Sequence, residues 1–181
     1  MSLPHALLTA LVEQPSSGSD LAGRFDRSIG YFWHATHQQI YRELARMEEA
    51  GWIESLPEET TRGRKRAYRL LPAGRKELKR WIALSEEPAP LRDALMVRLR
   101  ADAAVGPAGP GLAKDIRKRL KLHQDMLARY QAIEQRDFPG GAEDRAAALQ
   151  HLVLEAGIRY ERYWIDLLLE ALTILDAPAK G

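Results

Sequence analysis

At 181 residues, with 45% hydrophobic and 29% charged side chains, the chain can fold as one large domain or two small ones around real cores. It contains no run of about eighteen apolar residues, so no membrane-spanning helix is expected. The N-terminus lacks the basic-then-apolar pattern of a signal peptide, and with no cysteine there is neither a disulfide framework nor a thiolate metal site. The cytoplasm is the expected compartment.

The net charge of +2 is unevenly spread. Residues 60–80 carry nine Lys or Arg and one acid, Glu77, a local net of +8, whereas residues 86–181 hold 14 basic and 15 acidic side chains. A basic block on a nearly neutral chain suggests one surface that faces a polyanion; a solvated charged face is the alternative.

The periodicity predicts a first helix over residues 1–13, with Leu3, Leu7, Leu8, Leu11 and Val12 on one side. "QPSSGSD" breaks it, and Ser19 or Asp20 can cap a second helix that runs to about Ile29, with Leu21, Phe25 and Ile29 as its apolar stripe. Gly30 closes that helix and "YFWHA" connects onward. Thr36 caps a third helix from His37 to about Ala50, and Gly51 stops it. Ile40, Leu44 and Met47 form its buried stripe, which leaves Gln38, Arg42, Ala45 and Arg46 on the opposite side.

After Gly51 the period shortens. "WIESLPE" and "RAYRLL" are β-prone arms around the polar turn "ETTRGRK", a hairpin with a basic tip. Pro72 starts a fourth helix, "PAGRKELKRWIALSE". Three helices followed by a hairpin make a winged helix-turn-helix, with the basic block on the wing and the helix behind it.

"EEPAPLRD" reads as a linker. Beyond it come a short helix over 91–101 and a long one over 112–135, whose stripe is Leu112, Ile116, Leu120, His123, Leu127 and Tyr130. A final helix runs over 143–175, with Leu149, Val153, Ala156, Tyr160, Tyr163 and Leu167 at steps of four and three. Near its end "IDLLLEALTIL" is apolar on more than one side, more surface than one partner helix covers. The expected organisation is therefore mostly α, with a winged-helix domain over 1–87 and a helical domain over 88–181.

The polar cluster in "FWHATHQQIYREL" admits three readings. His34 and His37 could share a helical face, but a zinc site needs three or four ligands; His5, His123 and His151 are scattered, and there is no HExxH. No GxSxG, P-loop, dinucleotide-binding glycine pattern or cysteine nucleophile supports catalysis, and Glu48-Glu49 and Glu58-Glu59 are sequence neighbours that point apart or into solvent. DNA reading fits best. Gln pairs bidentately with adenine and Arg with guanine, from the exposed face near the start of a recognition helix. Gln38 and Arg42 meet that requirement, Gln39 lies at its edge, and the Thr36 hydroxyl can reach a phosphate. Arg62, Arg64, Lys65 and Arg66 on the wing would meet phosphates or the minor groove. No metal, no cofactor and no enzymatic activity are expected.

"FWHATHQQIYREL", the Arg/Lys-rich wing with "AYRLLPAGRKEL", and "HLVLEAGIRYERYWIDLLLEAL" together resemble the PadR family of bacterial transcriptional regulators, in its virulence-activator branch. The resemblance spans nearly the whole chain; only 102–145 is weakly diagnostic. It implies a winged-helix homodimer whose long C-terminal helices intertwine, covering the surplus apolar face near Tyr163, Leu167 and Leu168. It also places Tyr41 near the DNA backbone. Many members have proline after that tyrosine; here Arg42 adds a donor. Gly63 permits a tight wing turn or is simply a hairpin glycine. Trp33, Trp52, Trp81 and Trp164 either line a pocket for a small-molecule effector, since some members sense phenolic compounds, or serve core and dimer packing.

The reading as a whole is a homodimeric regulator on a pseudo-palindromic double-stranded DNA operator, with repression the plainer mechanism and activation the other. A winged-helix protein-interaction module and a metal-responsive regulator are the alternatives.

Overall fold

The computed structural model describes residues 3–25, 35–56, 66–88, 90, 92–106, 109–141 and 144–177. The chain divides into two units, residues 1–88 and 89–181.

In the first unit α1 (Leu3–Glu13) buries Leu7, Leu8, Ala10 and Leu11. Val12, one position past that stripe, is 39% exposed instead of joining it. The segment expected only to break the chain does more. Ser16–Ser17 is a short strand, β1, whose two residues are buried. α2 (Gly18–Phe25) follows at once. Its cap is Ser17, not Ser19 or Asp20: the Ser17 hydroxyl oxygen accepts the Asp20 N–H at 3.1 Å and donates to the Asp20 carboxylate at 2.6 Å. Arg24 of α2 donates to the Ala10 and Gln14 carbonyls at 3.0 and 3.4 Å, a second hydrogen bond at each acceptor, and so ties α2 to the end of α1. Ile29 and Gly30 lie outside the described residues.

α3 (His37–Glu49) begins and ends where its signals stand. Thr36 and Gln39 form a reciprocal capping box, and Gly51 takes φ +69°, a conformation that favours glycine. β2 (Ile53–Ser55) and β3 (Ala67–Leu70) pair antiparallel in the register Ile53↔Leu70, Glu54↔Arg69, Ser55↔Tyr68. Glu54 and Arg69 face each other as an ion pair. β1 joins the other edge of β3, through Ser16↔Tyr68 and Ser17↔Ala67, so the sheet order is β1-β3-β2. α4 (Pro72–Ile82) starts on proline at its first turn and ends four residues before the predicted stop. Leu7, Leu8, Leu11, Leu21, Ile40, Leu44, Met47, Ile53, Tyr68 and Leu78 make one core.

The second unit is helical. α5 (Ala94–Val105) is capped by Asp93, so it starts and ends later than expected. α6 (Gly111–Asp137) and α7 (Arg145–Leu175, capped by Asp144) run antiparallel: Arg117 pairs with Asp176, His123 with Glu161 and Glu134 with His151. With α5 they share a core of Leu95, Leu112, Ile116, Trp164, Leu168 and Ala171. α7 does not pack by the predicted stripe. Leu154, Ile158, Glu161, Trp164, Leu168 and Ala171 face inward, whereas Leu149, Val153, Tyr160 and Tyr163 are exposed. At about 100° per residue the two stripes, offset by one position, lie roughly 100° apart. Among the described residues no helix is long and apolar enough to cross a membrane.

Candidate nucleic-acid interface

Ile40, Leu44 and Met47 are almost wholly buried among the side chains of α1 and α2, and this stripe sets the rotation of α3. With it held, Gln38, Tyr41, Arg42, Ala45 and Arg46 all face solvent. Gln38 and Arg42 are one turn apart on that face, at its N-terminal end. Arg42 makes no ion pair among the described residues, while Arg46 lies 3.5 Å from Glu43. A long amide and an unneutralised guanidinium, projecting from a helix locked on its other side, can meet base edges without reorganising the backbone.

Thr36 and Gln39 stand at the same end but are occupied. The Thr36 hydroxyl oxygen accepts the Gln39 N–H at 3.2 Å and donates to Gln39 Oε1 at 3.2 Å, and Gln39 Oε1 accepts the Thr36 N–H at 2.8 Å. Their role in this structure is to start the helix. Tyr41 is 47% exposed, with one ring edge laid against Gly18 at the start of α2.

Arg66 stands at the described base of the wing, with Nη1 3.7 Å from Glu48 Oε2. Glu48 also accepts the Ser55 N–H at 3.0 Å. Hydrogen bonding from Ser55 chiefly, with the Arg66 charge adding, holds the Glu48 carboxyl below its ordinary range against the cost of burial. Glu48 thus ties both hairpin arms to α3. Glu48 and Glu49, expected to point apart or into solvent, point apart: Glu48 is half-buried while Glu49 faces solvent. The place of Glu48 beside Leu44 and Met47, at the margin of the buried stripe, was the available signal. Arg62, Gly63, Arg64 and Lys65 lie outside the described residues, as do Trp33 and His34.

Elsewhere the aromatic residues pack with histidines. His5 stacks on Trp81 at a centroid distance of 4.6 Å and tilts against Trp52 at 6.5 Å. His5 Nε2 lies 3.1 Å from Glu77 Oε1. Hydrogen bonding from Arg80 first and His5 second brings the Glu77 carboxyl down to about 2. In the second unit His123 stacks on Trp164 at 5.6 Å, with Nδ1 2.5 Å from Glu161 Oε2. Trp52 and Trp81 pack against the first core, and Trp164 belongs to the second. Among the described residues no three His, Asp or Glu side chains are grouped to hold a metal ion.

Of the residues expected at a dimer interface, Tyr163 is 56% exposed and Leu167 is half-buried against the second core. Leu168 corrects the expectation: at 0% exposure it packs with Ile116, Trp164 and Ala171 inside the unit, because its stripe is the one turned toward α6.

Three helices, a three-stranded sheet and an exposed polar face on the third helix define a winged-helix, DNA-binding regulator of transcription. Residues 7–80 match the transcriptional regulator PadR-like family and residues 91–176 the virulence activator alpha C-terminal family. The chain is 43% identical to the probable transcriptional regulator Rv1176c of Mycobacterium tuberculosis, covering 95% of this chain and 98% of that one. It is 26% identical to the negative transcriptional regulator PadR of Bacillus subtilis, over 96% and 97% of the two chains. The structure of the Vibrio cholerae virulence activator AphA superposes with a TM-score of 0.79 at 31% identity, over 97% and 98%. Bacillus subtilis PadR in complex with operator DNA also gives 0.79, at 23% identity over 96% and 99%, and PadR has been solved with p-coumaric acid as well. The chain belongs to the PadR-like family of transcriptional regulators, which are not enzymes.

Proposed function

We propose that the chain is a homodimeric repressor that reads a pseudo-palindromic operator in the cytoplasm. Residues 1–87 form the DNA-binding domain and residues 88–181 the dimerisation domain. The observation that carries this reading is the exposed Gln38–Arg42 face at the capped start of α3, held by the buried Ile40–Leu44–Met47 stripe. Gln38 and Arg42 read bases in the major groove, Tyr41 contacts the backbone, and Thr36 and Gln39 present the helix end. Arg62, Arg64, Lys65 and Arg66 bind phosphates or the minor groove through the wing.

Dimerisation rests on the second, exposed stripe of α7. Leu149, Val153, Tyr160 and Tyr163 lie along one side of a helix already packed on another side, and a second copy of α7 is the occupant that matches it. Two winged helices joined in this way read two half-sites related by a twofold axis. Repression is favoured by the negative regulator among the relatives, while the virulence activator leaves activation as the other sign. The relative solved with p-coumaric acid supports a small-molecule effector, here unnamed.

The test is to pass genomic fragments over the purified protein, sequence what is retained, and titrate the recovered duplex with salt. A recurring pseudo-palindrome bound with steep salt dependence is expected, since each neutralised phosphate adds about 0.9 to the slope. A winged helix that docks on a protein through apolar contacts would retain no common sequence and respond little to salt.

A further inference from the structure

Gly18 begins α2, and its backbone is not in the left-handed region that would demand glycine. The reason for a residue without a Cβ lies outside its own conformation. A Cβ at this position would stand closer to Tyr41 Cε1 than two carbon atoms approach, and 3.1 Å from Cδ1 and Cζ. The tyrosine ring occupies the volume that any other side chain would fill. The two helices meet there, with Gly18 buried and Tyr41 about half exposed on the same side of α3 as Arg42.

We propose that Gly18 is a positioning residue for DNA binding: its missing Cβ is the seat that holds the Tyr41 ring against α2 and aims the hydroxyl at the DNA backbone. The proposal rests on the reading of α3 as the recognition helix with Tyr41 at the backbone. The physical asymmetry is the point. What an added methyl strikes is the edge of an exposed, rotatable ring rather than backbone, so the fold yields cheaply by swinging the ring away. The hydroxyl lies farther from the Cα–Cβ pivot than the struck edge, so it moves farther than that edge does. Folding loses little, and a hydrogen bond to a charged phosphate oxygen loses its geometry. Because tyrosine is neutral, no counterion is released by its contact, and the salt slope is expected to stay unchanged. Because a backbone contact carries no sequence information, the loss is expected to be equal on specific and scrambled DNA.

The experiment is a double-mutant cycle on the full chain: parent, Gly18→Ala, Tyr41→Ala and the combined variant. Each is measured against a duplex selected from a random-sequence pool by the parent and against its scrambled counterpart, with melting temperatures alongside. Tyr41→Ala is expected to weaken both duplexes roughly tenfold or more, the worth of one hydrogen bond to a charged group. Gly18→Ala should approach the same loss at an unchanged melting temperature, and the combined variant should be no weaker than Tyr41→Ala alone. Additive losses, an unaffected Gly18→Ala, or a Gly18→Ala chain that melts early would each overturn the positioning role. If Tyr41→Ala binds like the parent, the proposal falls together with Tyr41's place in the interface, while the parts of Gln38 and Arg42 stand on their own variants.

Discussion

Gln38 and Arg42 sit one turn apart on a helix whose other face is locked, so truncating either changes what α3 offers to DNA and not how α3 is held. Gln38→Ala and Arg42→Ala are each expected to cost about 1–3 kcal/mol on the selected operator and much less on scrambled duplex, collapsing the specificity ratio. Equal losses on both would make them backbone contacts. Ile40→Ala should do the reverse, lowering stability by about 2–5 kcal/mol through the cavity it leaves in the first core. Glu77 gives a prediction in pH. Its folded carboxyl, at about 2, lies below the ordinary 4.5, so the stability it contributes is fully present above 4.5 and is lost as pH falls toward 2. In urea titrations the deficit of Glu77→Gln relative to the parent should therefore be largest near neutrality and shrink across that acid window; a deficit constant down to pH 2 would reject the ion-pair account. Of the residues proposed for the interface, those legible by rule carry a local signal: Thr36 a capping pattern, Gln38 and Arg42 periodicity. Gly18 and Glu48 act on residues 23 and 7 positions away, Tyr41 and Ser55. Neither pairing is written in spacing.

Among the elements, α4 approaches the hairpin more closely than any side chain would allow. A Cβ on Gly74 would overlap the Trp52 carbonyl oxygen and stand 3.0 Å from its carbon. Here the obstacle is backbone, which already accepts the Leu71 N–H at 2.9 Å and cannot swing aside. Gly74→Ala is expected to destabilise the first unit by about 1–3 kcal/mol, in contrast to the mild effect on folding expected at Gly18. Thermal melting of the two variants side by side checks the distinction. The same contrast explains which elements were legible. α3, β2, β3 and α4 carry caps, alternation or an N-terminal proline, and each was found near its place. β1 could not be: two serines have no periodicity, and what makes them a strand is the free edge of β3. On α7 the failure was of another kind. Periodicity found a true apolar stripe, but two such stripes share the helix, and only the partner decides which one is spent on α6.

That division of α7 sets the expectation for the whole molecule. From Leu149 to Leu167 the outer stripe is about 27 Å long at 1.5 Å per residue, long enough for a helix-against-helix interface. Along it Leu149, Val153, Tyr160 and Tyr163 are large and exposed, the two tyrosines each at 56%, and both tyrosine rings lie edge-on to Trp164 beneath them. The inner stripe is already satisfied. Charge placed on the two stripes should therefore have opposite consequences. Tyr160→Glu with Tyr163→Glu should leave helical content and melting nearly unchanged, give a monomer by light scattering, and lose operator binding because two half-sites are no longer linked. Leu168→Glu should instead bury an unpaired carboxylate beside Ile116 and Trp164 and unfold the second unit, whatever its oligomeric state. Leu167, half in the core and half at its edge, should fall between the two. A Tyr160→Glu, Tyr163→Glu chain that still scatters as a dimer would move the interface off this face of α7, and the twofold operator reading would then need another axis.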